Sequence, residues 1–497
     1  MADPGSWPLL STLLAVPVCT AGIAAVDRRA SRVRWIALTG ALLTLFWALL
    51  IVAAFDRHDP GFQFVESADW IPGVQIRYLV GVDGLSLLFL PATALLFCAA
   101  LVAAWQVGSS AASLSAGPYF AWLLLLEAAT LGVFCALDTM LLFFFWELML
   151  PPLYFLISLW GSGPARELVA RRYFLIMLVG GVPLLFGLLA AALSFSGGPV
   201  AFDLPTLQAR ELSGPTAYLV FLLLFAAFAV KVPVVPLHTW LPSLAMVGPP
   251  AVIALVVGLK LGAYGLIRFA IPLAPLAARD LHWLIAGAGA ATILYAGTAA
   301  LVHSNLRAIL ACSSVAHVGL VVLGLATFSV SALQGALLQL LNFSLATGGG
   351  FLVLAFLQRR SGSTAVDRLG GIVARMPRLT AFFLLFAMSG LGMPGTSGFP
   401  GELLIVVAAL HSHTGAGLAA LFGMILAAAG FLSPFRKAFL GVPDNPDIAL
   451  ADDLLPRELA CLLVPAALTV AIGVWPMPIL ELLRPAAEAW VTTIAGL

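Results

Sequence analysis

Six ionisable residues stand inside stretches otherwise apolar enough to lie in oil. They are Glu127 in LLLLEAATLG, Glu147 in FFFWELMLPP, Lys231 in AAFAVKVPVVPLHTWLP, Lys260 in VVGLKLGAYG, His317 in SSVAHVGLVV and Glu402 in SGFPGELLI. A charge at mid-bilayer costs about 2.5–3.5 kcal/mol, so the three carboxylates and two lysines together represent a burden on the order of 12–18 kcal/mol before pairing or hydration. Residues carried at that cost face the bundle interior or a hydrated path and mark ion or proton routes. The chemistry their types allow is proton transfer. A buried lysine changes protonation readily, carboxylates accept and release protons, and histidine does so near neutrality. Plainer readings stand beside this one: a hydrogen bond to a neighbour for Glu127, a snorkelling helix end for Lys231, a structural core histidine for His317.

Two of these charges adjoin interrupted helices. Lys231 is followed by Pro233 and Pro236, and Glu402 by sequence follows Met393-Pro394-Gly395-Thr396-Ser397-Gly398. Proline removes a backbone donor and clashes with the preceding turn, and freed carbonyls are tolerated in a membrane only inside protein or beside water. His238 follows the first break and can serve as its cap. A simple kink explains a proline but not a titratable group beside each break. Interrupted helices at matching places in two halves point to a transport site built from inverted repeats.

The elements that position these groups follow from composition. Of 497 residues, 62% are hydrophobic and 9% charged, with net charge +1 and a mean hydropathy of +1.07. Soluble domains carry about 25% charged residues, so a soluble enzyme is excluded, and the near-zero net charge offers no face for nucleic acid. The five cysteines, Cys19, Cys98, Cys135, Cys312 and Cys461, stand apart without metal-like spacing, so the chain itself offers no zinc, haem or iron–sulfur site. Stretches of about 20 apolar residues predict an all-α polytopic membrane protein with about 14 transmembrane helices. They lie near 7–26, 35–54, 78–105, 118–137, 139–160, 173–195, 217–240, 249–273, 282–302, 306–327, 331–357, 378–410, 415–435 and 458–480. The first is read as a retained helix, since no positive charge precedes it. Helices 4–8 and 9–13 form two inverted five-helix repeats, with helices 7 and 12 broken. The implied division is 1–117 (helices 1–3), 118–273 (first repeat), 282–435 (second repeat) and 436–497 (helix 14 and tail). Sixteen of the 24 basic residues, Arg28 and Arg307 among them, fall on one face; Arg57, Arg77, Arg210, Arg268, Arg279 and Arg484 fall on the other. The richer face is cytoplasmic, which puts both termini on the non-cytoplasmic side.

Several stretches resemble a known family: GVDGLSLLFLP (81–91), CALDTMLLFFFWELMLPPLYFLI (135–157), FAVKVPVVPLHTWLP (228–242), LKLGAYGLIRFAIPL (259–273), NLRAILACSSVAHVGLVVLG (305–324) and LGMPGTSGFPGELLI (391–405). They are similar to the proton-translocating, antiporter-like subunits of respiratory complex I, the subunit 4 (chain M) branch above the others. A lysine stands in the twelfth helix of the longer subunit 5 relatives, where this sequence has Glu402. The resemblance implies a membrane-arm subunit of a complex I-like NADH (or ferredoxin):quinone oxidoreductase, in a bacterial inner membrane, bound to the other membrane-arm subunits. It implies that Glu147 pairs with Lys231 and tunes its proton affinity, and that Lys260, His317 and Glu402 continue the route. NADH, FMN, iron–sulfur clusters and quinone belong to partner subunits, with no cofactor in this chain. The sequence departs from the family pattern in SLAMVGPPA (243–251), in Asn305-Leu306-Arg307-Ala308, and at Asn342, which with Gln339 can hold water but not carry a proton. Two rival readings stay open: a subunit of a multisubunit cation/proton antiporter or bicarbonate-uptake complex, and a non-conducting structural membrane subunit.

Overall fold

The computed structural model describes residues 7–27, 29–108, 115–194, 200–210, 212–442 and 445–495. Arg28 of the basic set and both chain ends lie outside them. The chain is a polytopic helical bundle: twelve helices among the described residues are long and apolar enough to cross a membrane. Three shorter apolar helices, Phe89–Ala103, Pro377–Gly390 and Gly398–Ser412, fall within the third and twelfth predicted spans.

The order runs as follows. α1 (Leu9–Val26) and α2 (Ala30–Ala54) precede β1 (Gln63–Ile71) and β2 (Ile76–Val82), an antiparallel hairpin. After it come α3 (Phe89–Ala103), α4 (Ala116–Cys135), the pair α5 (Thr139–Leu148) and α6 (Leu150–Trp160), α7 (Arg166–Leu193), the short α8 (Leu204–Ala209) and α9 (Gly214–Lys231). The seventh span ends there and resumes as α10 (Trp240–Val247); the eighth is split into α11 (Pro250–Gly258), α12 (Leu261–Gly265), a π-helical turn (Leu266–Ala270) and α13 (Ile271–Leu273). Then follow α14 (Pro275–Asp280), α15 (His282–Val302), α16 (Leu306–Leu325), and α17 (Val330–Asn342) joined by a π-helical turn (Phe343–Thr347) to α18 (Gly348–Ser361). The chain closes with α19 (Ile372–Arg375), α20 (Pro377–Gly390), α21 (Gly398–Ser412), α22 (Thr414–Phe439), α23 (Pro446–Ala449), α24 (Pro456–Val474) and α25 (Met477–Ala495).

Burial sorts these helices into a centre and a rim. The stretches Ala116–Cys135, Pro250–Leu273, Leu306–Leu325 and Val330–Ser361 are 83–94% buried, whereas Pro456–Val474 is 28% buried and turns leucines and valines outward. The four central stretches carry Glu127, Lys260, His317, Gln339 and Asn342. Close approach comes from small residues, as membrane packing requires: a Cβ on Gly289 of α15 would lie 2.7 Å from the Gly319 carbonyl of α16, and the reverse holds at Gly319.

Four features differ from the sequence expectation. The third span, drawn from residue 78, begins inside β2. Its alternating residues (IRYLVGV) pair with β1, and helix starts only at Phe89, so an apolar run was strand before it was helix. The eighth and eleventh spans, expected to be continuous, are interrupted at Lys260 and at Phe343. The tail beyond helix 14 is an amphipathic helix, α25, clipped to the bundle by Trp490 Nε1 donating to the Ile267 carbonyl (2.7 Å) and Gln334 Nε2 donating to the Leu480 carbonyl (2.7 Å).

Arg268 is the fourth: counted among the charges of the less basic face, it is buried. Its guanidinium grips Asp83 bidentately, Nη1 to Oδ2 at 2.8 Å and Nη2 to Oδ1, and its Nε donates to the Tyr264 hydroxyl at 3.3 Å. Removing one partner of such a pair strands the other charge, at a cost of about 3–5 kcal/mol. Asp83→Ala is therefore expected to lower the resistance of the purified protein to denaturing detergent by about that much. Asp83→Leu combined with Arg268→Met is expected to lose far less; equal losses would refute this account of the pair.

The two faces separated by charge are separate in space. On one, Arg34 Nη2 reaches the Val107 carbonyl (3.2 Å), Arg359 the Ala103 carbonyl, and Arg360 Nη2 reaches Glu458 (2.5 Å). On the other, the start of α1 donates to Glu66 (Leu10 N, 2.7 Å), Arg77 N to Asp138 (3.1 Å), and Arg279 Nη1 to the Ile494 carbonyl (3.3 Å).

Candidate functional site

The break after α9 is built by its prolines. Pro233 and Pro236 cannot donate, so the carbonyls four residues back need other partners. Val234 N takes the Ala229 carbonyl (3.0 Å), the Trp240 indole takes the Val230 carbonyl (2.9 Å), and Val235 N donates to the Thr292 hydroxyl (3.0 Å). Lys231 therefore ends a helix whose next turn is absent. Its Nζ sits 3.8 Å from the Trp146 ring centre and 3.8 Å from Met149 Sδ. Trp146 belongs to α5, which carries Glu147, and Met149 caps that helix.

Glu147 is held differently. Its carboxylate turns toward Gly181 of α7, one oxygen lying where a Cβ on that residue would be. That Oε1 is buried and without a hydrogen-bond partner. The expected pairing with Lys231 is open here: no ion pair within 4.0 Å joins them, although their charges interact. A cation over an indole face and beside a thioether has attractive but non-accepting neighbours, so Lys231 is not neutralised locally.

A cavity of about 40 Å³ adjoins Lys231, lined by Thr130, Tyr173 and Trp240 and reaching Leu259 and Leu261, which flank Lys260. That is room for one or two waters. Lys260 lies in the gap between α11 and α12, buried, its Nζ without a partner and 5.2 Å from the centre of the Phe343 ring. The second half of its helix presses against the end of α9 because Gly262 has no side chain; a Cβ there would lie 2.7 Å from the Phe228 carbonyl.

Phe343 also lines a second cavity, of about 30 Å³, together with Ser313, Ser314, His317 and Asn342. His317 Nδ1 lies 2.7 Å from the Ser313 carbonyl. A carbonyl only accepts, so Nδ1 carries a hydrogen, and Nε2 is left to take or give up the second proton. That nitrogen lies 3.4 Å from Glu402 Oε1. Glu402 is buried, its carboxylate otherwise without hydrogen bonds. Lys260 is near enough for its charge to act on His317.

The second break is lined by polar side chains. Asn342 Oδ1 accepts from the hydroxyls of Ser389 (2.8 Å) and Ser397 (2.7 Å), its Nδ2 donates to Gln339 Oε1 (3.2 Å), and Gln339 Nε2 donates to the Gly398 carbonyl (3.0 Å). Gln339 and Ser389, the latter accepting from Gly398 N (3.3 Å), thus meet the backbone of the break; Asn342 ties these side chains together and occupies the last position before the π-helical turn.

Lys231, Lys260, His317 and Glu402 thus follow one another through the centre of the bundle, with Glu147 at one end and small cavities between. Gln339 and Asn342 support the last step; Pro233, Pro236 and Pro394 make the breaks. Two expected residues are not brought in. The Glu127 carboxylate is fully buried and approaches Cys98, without a hydrogen-bond partner. The His238 ring packs edge-on against Tyr295, 5.0 Å between centres. Sequence reasoning missed Tyr173, which lines the Lys231 cavity, and Phe343, which lines the second cavity and lies 5.2 Å from Lys260 Nζ. No spacing rule marks either one; the Gly348-Gly349-Gly350 run downstream was the available hint of close packing there.

At the sequence departures, Arg307 is buried, donating to the Gly248 carbonyl and, through Nη1, to Gln358 Oε1 at 3.0 Å, while Asn305 caps α16. Beside Pro249 and Pro250 lies a cavity of about 230 Å³ that also meets Tyr119 and Arg359.

The family profile described as "NADH:quinone oxidoreductase/Mrp antiporter, TM" matches residues 136–427. The chain is 34% identical to the NADH-quinone oxidoreductase subunit M of Rhodobacter capsulatus, over 96% of this chain and 95% of that one. It is 32% identical to the NADH-ubiquinone oxidoreductase chain 4 of Arabidopsis thaliana, over 92% and 91%. A chain of respiratory complex I from Thermus thermophilus superposes with a TM-score of 0.89 at 30% identity, covering 98% of this chain and 99% of that one. A chain of the Mrp complex from Dietzia shares the fold, with a TM-score of 0.85 at 24% identity and 98% of each chain covered.

Proposed function

Because the chain belongs to the family of NADH:quinone oxidoreductase and Mrp antiporter membrane subunits, we propose that it is a proton-translocating membrane-arm subunit of a complex I-like quinone oxidoreductase. The observation that carries this is the row of buried ionisable groups, Lys231, Lys260, His317 and Glu402, set against interrupted helices with water-sized cavities between them. Its partners are the other membrane-arm subunits, its setting a bacterial inner membrane, and its two termini lie on the non-cytoplasmic side. Nothing among its own groups carries electrons. NADH, FMN, iron–sulfur clusters and quinone act in partner subunits, and the energy of quinone reduction reaches this chain as a change in shape or field. The fold reading includes two inverted five-helix units, 118–273 and 282–435, supported by the breaks after α9 and α20.

The route uses one proton holder at a time. Glu147 and Lys231 share a low-dielectric environment, so drawing them together favours the charged lysine and parting them favours its release. A proton released from Lys231 enters the cavity toward Lys260. Lys260 and His317, both cationic when protonated, repel one another, so loading the first drives the second to deliver its Nε2 proton to Glu402.

Glu147→Gln tests this reading. The amide keeps the size of the side chain and removes its charge. Proton uptake by inverted membrane vesicles, driven by NADH, is expected to fall steeply while the subunit stays in the assembled complex. Unchanged uptake would favour the non-conducting structural subunit instead. Copurification with monovalent-cation exchange components, and without a flavin and iron–sulfur arm, would favour the antiporter.

A further inference from the structure

One wide groove on the chain belongs to no step of the proton route. It holds about 600 Å³ between α2, α3 and α24, open toward the membrane. Its walls are apolar along their length: Leu38, Leu42 and Leu45 on one side, Leu95 and Val102 on another, Val464 on the third. Its mouth is different. Trp35 and Trp105 meet edge to face there, 5.1 Å between ring centres, and the exposed Arg457 stands beside them. Tryptophan pairs of this kind mark the boundary between hydrocarbon and headgroups.

The length of the groove identifies the occupant. From Trp35 to Leu45 is ten residues of helix, about 15 Å, half of the roughly 30 Å hydrocarbon core. A partner's transmembrane helix would need a seam across the whole membrane; this one ends in the middle. An apolar slot one leaflet deep with a polar mouth is the shape of a lipid. Charge at the mouth selects its headgroup. Arg457 is close enough to Arg34 and to Arg359 for its charge to act on each of them. The nearby acid, Glu458, is already engaged by Arg359 (3.3 Å) and Arg360 (2.5 Å). The mouth is therefore net positive, and basic pockets between membrane helices recruit anionic headgroups.

We propose that this groove is a binding site for one anionic phospholipid, its acyl chains lying along Leu38, Leu42 and Val464 and its phosphate on Arg457. Four forms of the assembled complex test it: the natural sequence, R457K, R457E and A460W, the last filling the slot. Each is washed stepwise in mild detergent and its phospholipids are counted by mass spectrometry. The natural form and R457K are expected to retain one more anionic phospholipid per complex than R457E and A460W, with equal zwitterionic lipid in all four. Equal anionic counts would overturn the site, as would a parallel loss of zwitterionic lipid. A photoreactive residue in place of Leu38 gives an independent reading should R457E not assemble. Cross-linking to phospholipid supports the proposal; cross-linking to another polypeptide shows that protein covers the groove and refutes it.

Discussion

Lys231→Arg is expected to stop proton translocation as completely as Lys231→Met. Both variants should leave the subunit in the complex, since the side chain rests on Trp146 and Met149 rather than on an ion-pair partner within 4.0 Å. The arginine keeps the positive charge and fits an indole face at least as well. What it cannot do is release a proton, because the guanidinium stays charged at any physiological pH. A purely structural or electrostatic role for Lys231 predicts that arginine preserves function and methionine destroys it. A relay predicts that both reduce proton uptake per NADH oxidised to the leak of the vesicles. Acidification measured in inverted vesicles, beside the quinone-reductase rate of the same membranes, separates the two, and substantial pumping by the arginine variant would sink the relay.

Gly392→Ala should have the largest effect of any single methyl group added to this protein. Gly392 stands in the second break with φ +66, and a Cβ there would occupy the place of a Glu402 carboxylate oxygen. The left-handed backbone alone costs an alanine about 1–2 kcal/mol. The collision matters more, because Glu402 must either swing away from His317 or push the break open. Pumping is expected to fall about as far as in Glu402→Gln while the thermal stability of the complex drops only modestly. Shortening the acid relieves the collision, so Gly392→Ala combined with Glu402→Asp is expected to recover part of the activity that Gly392→Ala loses. A double variant no better than the single one would show that backbone strain, not the position of the carboxylate, is the cause.

Much of this arrangement was legible in the residues. A buried charge announces itself against 62% apolar composition, and proline marks a break because its chemistry forbids the helical bond. Lys231, Glu402 and their breaks were found that way. The interruptions at Lys260 and Phe343 were not, because glycine-flanked gaps and π-helical turns satisfy the same composition as a straight helix and arise from packing against neighbours. The hairpin before α3 was hidden for a related reason: apolar strand and apolar helix read alike over seven residues. Arg268 was misplaced because its partner, Asp83, lies 185 residues away, and no local pattern reveals such a pairing. Glu127 shows the opposite limit. The sequence made it conspicuous, but only the packing shows that it is fully buried with no hydrogen-bond partner.

The two breaks, alike in proline content, are furnished in contrasting materials. At the first, an aromatic face and a sulfur hold a cation without accepting a proton from it, beside a pocket for one or two waters. At the second, an amide and two hydroxyls are bonded into a network that water can join. On the proposed route the first contact is the throttle: its cation gives up a proton only when something outside loosens the aromatic hold, whereas the bonded second break keeps pace with the water around it. A membrane held at a steep electrochemical gradient needs such a throttle, since two freely exchanging junctions in a row would short-circuit it.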